Sequence, residues 1–445
     1  MFSRVSSLEM VYALSRIELS ISDKVTVKET SPTILSQLQV LQVRDLTIYS
    51  LNHRIYRLTE PIDLSILTKL RNLTIESGSL RDVLLPVQLK SLQISKLYSH
   101  HDLDLSHLTG LENLEVSQIN KLPPHLTRLV TQYFTGVLPE SLIDLQFSYP
   151  LMYSLASLPK NLTRLHFNSN ITQMRELEFT QLPRLTDLQC TTLLPENYPS
   201  LEALPLRRLS LTFIEDLSLT SYLPRSLQDL TITSVDPVSL PPLPELTSLC
   251  YSGPGIIVPR SITDLTLSSK LIFSTFDLSQ LQSLKKLSLG FSGQTEDNLE
   301  LKGLNGSMLT ELQVFTYYFR DRTKIDSLLV QLPQVNVLHL PQISSLSQVM
   351  DSVVELELNY AYVLKKAWPK DLQRLIVTNI FFDLIPAGLV SLKICGGTYV
   401  DPSYQFRPEV WRNLVHDREL RQKVVGACTP EQSDLLMRLL EEGVN

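Results

Sequence analysis

The stretch LPRSLQDLTITS, residues 223–234, recurs along the chain with small changes. LPESLIDLQFS begins at residue 138, LPKNLTRLHFNS at residue 158 and VPRSITDLTLSS at residue 258. Each copy has Leu-Pro or Val-Pro, then two apolar residues three positions apart, then another apolar residue two positions later. A unit this short cannot bury its own apolar side, so the pattern predicts stacked repeats that share one core.

The second of the two apolar residues is the anchor of each repeat, and other positions are counted from it. The anchors are Ile17, Leu41, Leu73, Leu92, Leu114, Leu129, Leu145, Leu165, Leu188, Leu209, Leu230, Leu249, Leu265, Leu287, Leu312, Leu338, Leu356, Leu375 and Leu392. From Leu73 onwards their mean spacing is about 20 residues. Apolar residues at 0 and +2 face one side of a strand. The pattern therefore predicts one short strand per repeat and a parallel sheet over a leucine core.

Two kinds of segment lead back to the next strand. In the Leu-Pro repeats, proline fixes φ and disfavours helix at the residue before it, which predicts an extended return segment. In a second variant the sequence Asp-Leu-Ser-x-Leu-x-x-Leu begins at Asp63, Asp104 and Asp277. An aspartate at that place is expected to cap one helical turn.

The repeats resemble the leucine-rich repeat family over about residues 31–400. The short Leu-Pro-x-Ser-Leu-x-x-Leu-x-Leu unit is similar to the repeats of bacterial effector proteins and to FNIP-type repeats. Asn170 matches the family's asparagine five residues after an anchor, whereas Ile214 and Lys270 stand there in other repeats. The resemblance implies an α/β solenoid, a horseshoe with a parallel concave β-sheet and a mostly extended or short-helical convex side.

The two ends depart from the repeat. Residues 1–30 are predicted to form an N-terminal cap and a first strand, and residues 31–400 the solenoid. Residues 401–445 carry apolar residues at helical spacing, and Thr429 is placed to cap a last helix. This helical tail is expected either to cover the final repeat or to dock a partner.

Composition excludes several classes of protein. The 445 residues carry a net charge of -6, which argues against a broad nucleic-acid-binding surface. No apolar run reaches the ~18 residues of a membrane span, and the first residues do not resemble a signal peptide. The four cysteines, Cys190, Cys250, Cys395 and Cys428, are far apart in sequence. They are interpreted as reduced thiols of an intracellular protein, cytoplasmic rather than nuclear.

The sequence contains no motif that clearly supports catalysis or metal binding. His100-His101-Asp102-x-Asp104-x-x-His107 has metal-ligand residue types, but Asp104 belongs to the Asp-Leu-Ser variant, whose other copies lack histidines. The chain has no recognisable nucleophile elbow, phosphate-binding glycine loop or zinc signature. We therefore expect no enzyme activity, no metal and no cofactor. An enzymatic alternative would centre on Cys428 or on the His100 cluster.

One row of charges alternates in sign. Position -1 reads Arg128, Asp144, Arg164, Asp187, Arg208, Asp229, Ser248, Asp264, Lys286 and Glu311. On adjacent strands these residues would form a cross-strand charge ladder. The ladder could fix register and solubility, or it could be a polar surface for a protein. Position +1, which includes Gln146, His166 and Gln189, lacks the aromatic platform of single-stranded nucleic-acid sites.

An aromatic patch marks the longest repeats. Phe315, Tyr317, Tyr318 and Phe319 precede Arg320 and Arg322. Aromatic residues and arginine are typical of interface hot spots. These rings are expected either to form a binding site on an inserted loop or to fill the core beneath it.

The sequence as a whole predicts a monomeric, non-catalytic protein-binding scaffold whose partner is another protein, not nucleic acid or membrane. The resemblance implies two narrower roles, substrate recognition for a ubiquitin ligase or a host-targeted effector. A structural repeat protein without a fixed partner is a further alternative. The candidate protein-binding residues are Arg128, Asp144, Arg164, His166, Asp187, Gln189, Arg208, Asp229, Tyr317, Tyr318 and Phe319.

Overall fold

A computed structural model describes most of the repeat region. The described residues are 17–19, 24–29, 38, 42–50, 62–78, 83–97, 103–134, 136–147, 158–167, 179–214, 216–269, 273–291, 298–302, 308–316, 335–343, 349–364, 368–378, 380–382 and 390–395. The chain forms two compact units, Met1–Leu227 and Gln228–Asn445. The predicted tail of residues 401–445 lies outside the described residues. Within them, no helix is long and apolar enough to cross a membrane.

The first unit is built on a sheet with one strand per repeat. Its strands are β1 Ile17–Leu19, β2 Lys24–Glu29, β3 Asp45–Ser50, β4 Ile62–Asp63, β5 Asn72–Gly78, β6 Val83–Leu84, β7 Ser91–Leu97, β8 Asn113–Ile119, β9 Arg128–Phe134, β10 Asp144–Phe147, β11 Arg164–Phe167, β12 Asp187–Cys190 and β13 Arg208–Ile214. β1 pairs antiparallel with β2. β2, β3, β5 and β7 to β13 then pair in parallel, in chain order.

The second unit repeats this architecture. Its strands are β14 Asp229–Ser234, β15 Val238–Ser239, β16 Ser248–Ser252, β17 Ile256–Ile257, β18 Asp264–Ser269, β19 Phe273–Asp277, β20 Lys286–Phe291, β21 Asn298–Lys302, β22 Glu311–Thr316, β23 Val337–Ile343, β24 Glu355–Leu364, β25 Arg374–Thr378, β26 Ile380–Phe382 and β27 Ser391–Cys395. β14, β16, β18, β20, β22 to β25 and β27 pair in parallel, and β26 adds to β24.

The anchors set the register of both sheets. In the first unit the anchors from Leu73 to Leu209 stand directly opposite one another on neighbouring strands. The same holds in the second unit from Leu230 to Leu392. Positions -3, 0 and +2 are buried, as Leu142, Leu145 and Phe147 show. The predicted leucine-rich repeat solenoid is therefore confirmed as the fold of each unit.

The register of the first repeats differs from the prediction. Leu46, not Leu41, stands opposite Leu73, and Val25 stands opposite Leu46. The apolar pattern fits both leucines, because Val43 can serve as the +2 residue of Leu41 or as the -3 residue of Leu46. Gln42 has a φ of 51°, which an extended strand through Leu41 cannot contain. The strand therefore begins after this turn.

The return segments are tight turns. In the Leu-Pro repeats the proline carbonyl accepts the N–H of the -3 leucine, as in Leu142 to Pro139 at 3.1 Å. In the Asp-Leu-Ser repeats the aspartate accepts the N–H two residues on, at 2.9 Å for Asp63 and 3.0 Å for Asp104. Short helices are Phe179–Gln181, Pro195–Asn197, Leu217–Tyr222 and α1, Tyr198–Glu202. Small parallel pairs β4–β6, β15–β17 and β19–β21 add to the return side.

Polar side chains join each repeat to the one before it. A serine at -4 donates its hydroxyl to the preceding repeat, at 2.8 Å from Ser141 to the Leu126 carbonyl and 2.8 Å from Ser226 to the Leu206 carbonyl. A threonine at -2 does the same, as in Thr186 to the Thr163 carbonyl at 3.2 Å. These bonds satisfy carbonyls at the turn, which explains the serine of Leu-Pro-x-Ser-Leu.

Candidate functional site

The candidate site is the polar face of each sheet, which we define as positions -1, +1 and +3 of the main strands. These side chains alternate with the leucines and point away from the core. The burial pattern of β16, Ser248–Ser252, shows this alternation, with Leu249 and Tyr251 buried and the other residues partly exposed. Such a face offers side chains from many repeats on one surface.

The charge ladder of the first unit is present. Asp144 stands opposite Arg128 on one side and Arg164 on the other. Its Oδ2 lies 3.3 Å from Nε of Arg128 and 2.8 Å from Nη2 of Arg164. The Asp144 side chain is only 11% exposed, whereas both arginines are about half exposed. One nearly buried carboxylate therefore joins three strands.

Asp187 is the second carboxylate of the ladder, and its partners differ from the prediction. It stands opposite Arg164 and Arg208. Oδ2 lies 2.6 Å from Nη2 of Arg208, and Oδ1 lies 3.2 Å from Nε2 of His166 without the angle of a good hydrogen bond. Burial raises the pKa of Asp187, but His166 and the two arginines outweigh burial and lower it overall.

The ladder is less regular in the second unit. Its -1 row runs Asp229, Ser248, Asp264, Lys286 and Glu311 on five neighbouring strands. Lys286 Nζ lies 3.0 Å from Oε2 of Glu311, and this bond, together with the glutamate charge, raises the pKa of Lys286. Asp264 accepts a hydrogen bond from its neighbour Thr263 at 2.8 Å.

A histidine cluster on β23 to β25 was missed by the sequence analysis. His339 lies with Nε2 3.7 Å from Oε1 of Glu355 and Nδ1 3.5 Å from Oε2 of Glu357. Arg374 binds the other oxygen of Glu355 at 3.1 Å. The order of histidine at +1, carboxylate at -1 of the next strand and arginine at -1 of the strand after matches that of His166, Asp187 and Arg208. The sequence did contain a signal for this cluster, because its three residues occupy the same repeat positions as His166, Asp187 and Arg208.

The residues considered for chemistry do not form a centre in the described part of the chain. Asp104 binds Ser106 and, at 2.8 Å, Nζ of Lys121, and these hydrogen bonds lower its pKa. His107 is exposed, and no group of three or more His, Cys, Asp or Glu residues in the described ranges could hold a metal ion. His100, His101, Asp102 and Cys428 lie outside those ranges. Burial raises the pKa of the Cys190 thiol and of Cys250.

The aromatic patch is described only at its first ring. Phe315 stands at +3 on β22 with 48% of its surface exposed, so it does not fill the core. Its neighbour on β20 is Gly290, which leaves one side of the ring open. Tyr317, Tyr318 and Phe319 lie outside the described residues, and their predicted role remains a prediction.

No family model matches the chain, and no curated protein matches it. Solved structures are similar in fold. YopM from Yersinia enterocolitica WA-314 is 19% identical over 79% of this chain and 77% of its own, with a TM-score of 0.35. The TLR13–ssRNA13 complex is 17% identical over 83% of this chain and 65% of that chain, with a TM-score of 0.48. A leucine-rich repeat protein from Bacteroides ovatus ATCC 8483 is 12% identical over 85% of this chain and 81% of its own, with a TM-score of 0.12. At TM-scores below 0.5, none of them transfers a function to this chain.

Proposed function

We propose that this chain is a non-catalytic scaffold that binds another protein through the polar face of its repeats. The observation that carries the proposal is the partial exposure of the polar face among the described residues. On strand after strand of both units, one side is packed with leucine and the other presents partly exposed polar groups. Leucine-packed repeats give a rigid support, and extended surfaces of this kind are what repeat proteins use for recognition.

The side chains of this face suit a protein better than a nucleic acid. Position +1 carries hydroxyl and amide groups such as Gln146, Gln189, Ser210 and Thr231. Single-stranded nucleic acid is bound on aromatic platforms, and the described +1 row has none. We further propose that the chain acts as a monomer in the cytoplasm. Substrate recognition for a ubiquitin ligase, or targeting of a host protein, would use the same face.

One observation favours a second hypothesis, in which the chain is a structural repeat protein without a fixed partner. The charges of Arg128, Asp144, Arg164 and Asp187 are satisfied by one another and by their neighbours. Such pairing fixes the register of parallel strands even when nothing binds. The two readings differ in whether the face contacts another protein.

Site-specific photocrosslinking separates these readings. A photoreactive amino acid is placed at Gln189 or at Thr231, exposed +1 positions in the first and second units. The matched control places it at Glu202, which is exposed at the end of α1 on the return side. The scaffold predicts that irradiation in the native cytosol gives the same discrete protein adduct in repeated experiments from a face position and not from Glu202. If neither Gln189 nor Thr231 gives such an adduct, the proposed function is contradicted.

A further inference from the structure

The edge of the first unit at which the strands begin is rich in cations. Strands β2, β3, β5 and β7 to β13 run parallel, so the residues at positions -6 to -2 all lie along the same edge. The exposed cations at these positions, together with one in the following turn, are Arg44, Lys69, Arg71, Lys90, Lys160, Arg184, Arg207 and Arg225. We call this set the basic edge. Glu112 and Glu140 are the carboxylates at the same described positions, although the whole chain carries a net charge of -6.

Contacts between repeats show that these cations are neighbours. The backbone N–H of Arg71 donates to the Arg44 carbonyl at 2.8 Å, and that of Lys90 donates to the Arg71 carbonyl at 2.8 Å. The three side chains therefore start from adjacent strands, about 4.8 Å apart. Further along, Nη1 of Arg184 binds the Asn161 side chain of the preceding repeat at 3.1 Å. Asn161 is the residue after Lys160.

The basic edge differs from the polar face in how its charges are arranged. On the face, position -1 alternates in sign from Arg128 to Arg208, and the carboxylates of Asp144 and Asp187 lie beside cations. On the edge, Arg44, Arg71 and Lys90 place like charges side by side, which destabilises a pair of strands. Within the described residues, Glu112 is the carboxylate that this set binds, through Lys90 at 2.5 Å. Folding therefore leaves a positive surface that an anion can neutralise.

We propose that the basic edge binds an acidic segment of a partner protein, with its carboxylates facing the cations of successive repeats. Arginine binds carboxylates through two parallel N–H groups, and arginine supplies much of the edge. Glu112 and Glu140 interrupt the edge and would face phosphates if a nucleic acid tracked along it. The described positions -6 to -2 carry no phenylalanine, tyrosine or tryptophan on which a base could stack. A protein segment can instead place neutral residues opposite the two glutamates.

This inference rests on the proposed scaffold function and adds the chemistry of the partner. The edge variant is Arg207→Glu with Arg225→Glu. The matched control is Arg260→Glu with Lys285→Glu, two exposed cations at the same repeat positions of the second unit. There the described carboxylates Glu245, Asp351 and Asp371 stand at the corresponding positions. The two variants have the same net charge, so a difference between them reports location.

The probes are a fluorescent peptide of alternating glutamate and serine, and poly-uridine RNA of the same net charge. Fluorescence anisotropy measures binding of each probe to the full chain in about 50 mM NaCl, where the Debye length exceeds 10 Å. We expect the peptide to bind more tightly than the RNA. The edge variant should weaken peptide binding about tenfold and the control less than about twofold. Added salt should abolish the binding.

Three results would overturn the proposal: no peptide binding by the wild type, equal weakening in both variants, or tighter binding of the RNA. Circular dichroism of both variants confirms that they are folded. The protein found by photocrosslinking separates this proposal from the scaffold function. If that protein still binds the edge variant at full affinity, the scaffold stands and the acidic-segment proposal is wrong.

Discussion

Replacing Asp144 by asparagine tests what the charge ladder contributes to stability. Asp144 binds Arg128 and Arg164 through the same oxygen, at 3.3 Å and 2.8 Å. Ion pairs with half-exposed arginines contribute about 0.2–1 kcal/mol each. Asparagine keeps the shape of the side chain and removes the charge, so the two pairs together predict a loss of about 0.5–2 kcal/mol. Truncating the adjacent Leu145 to alanine is expected to cost more, about 2–5 kcal/mol.

The loss should be local as well as small. Each repeat contacts its neighbours, so solenoid stability is close to a sum of repeat and interface terms. Hydrogen exchange measured by mass spectrometry should therefore show reduced protection in β9 to β11, the three strands that Asp144 joins. Urea unfolding followed by circular dichroism gives the corresponding change in midpoint. Both measurements are repeated in about 1 M NaCl, where the Debye length falls to about 3 Å and the difference between the proteins should shrink.

Glu140→Gln is the matched control, because Glu140 is exposed in the turn before β10 and stands outside the -1 row. It should change stability by less than about 0.5 kcal/mol. Equal losses of stability in the two variants would refute this account, because the alternation of signs would then not act through the ion pairs.

Three further predictions concern single contacts. Because the pKa of Asp187 is lowered below its ordinary value of 3.8, its stabilising contribution is present above about pH 4 and lost as the pH falls through the lowered pKa. Urea unfolding should therefore show a gap between wild type and Asp187→Asn that narrows below about pH 4. Gly253→Ala should cost about 1–3 kcal/mol in the same assay, because a Cβ would overlap the Tyr251 hydroxyl and stand 2.7 Å from the Ser234 carbonyl oxygen, whereas Gly255→Ala meets no atom within 4 Å. Ser226→Ala removes the bond to the preceding turn and should cost about 0.5–1.5 kcal/mol of unfolding free energy; no change would show that this bond is replaced by water.

Leucine spacing was sufficient to predict the fold because burial selects one register. Shifting a strand by one residue would turn its anchor and its +2 residue towards solvent. From Leu73 to Leu392 this constraint placed the anchors correctly within each unit. It failed at Leu41, where two overlapping patterns five residues apart are both apolar. The left-handed backbone of Gln42 decides between them, and a glutamine does not signal that conformation.

Contacts between residues at the same repeat position of neighbouring strands could be predicted from the sequence. Contacts between residues at different repeat positions could not. Alternating signs at -1 predicted the partners of Asp144, because residues at one repeat position stand opposite each other. The approach of His166 to Asp187 runs diagonally, from +1 of one strand to -1 of the next, and depends on side-chain conformation. The same diagonal brings His339 to Glu355. Whether the ladder residues, or Tyr317, Tyr318 and Phe319, bind a protein stays a prediction.

The basic edge was hidden for a different reason. Its cations occupy position -5, -4 or -2, and the position that carries the cation differs between repeats with the length and type of the turn. The net charge of -6 gives no sign of this local excess of positive charge. Only parallel stacking places Lys160, Arg184 and Arg207 along one edge.

The repeat also explains why its own signature does not reveal the partner. Positions -3, 0 and +2 are committed to the core, and serine at -4 and threonine at -2 bind carbonyls of the preceding repeat. Together these residues make up the recognisable motif. Positions -1, +1 and +3 of the face have neither role, and on the edge a cation replaces the serine at -4 or the threonine at -2 in some repeats, as Arg184 and Arg207 do. Their residues can therefore change with the partner while the fold is kept, so recognition must be derived from charges and contacts at those positions.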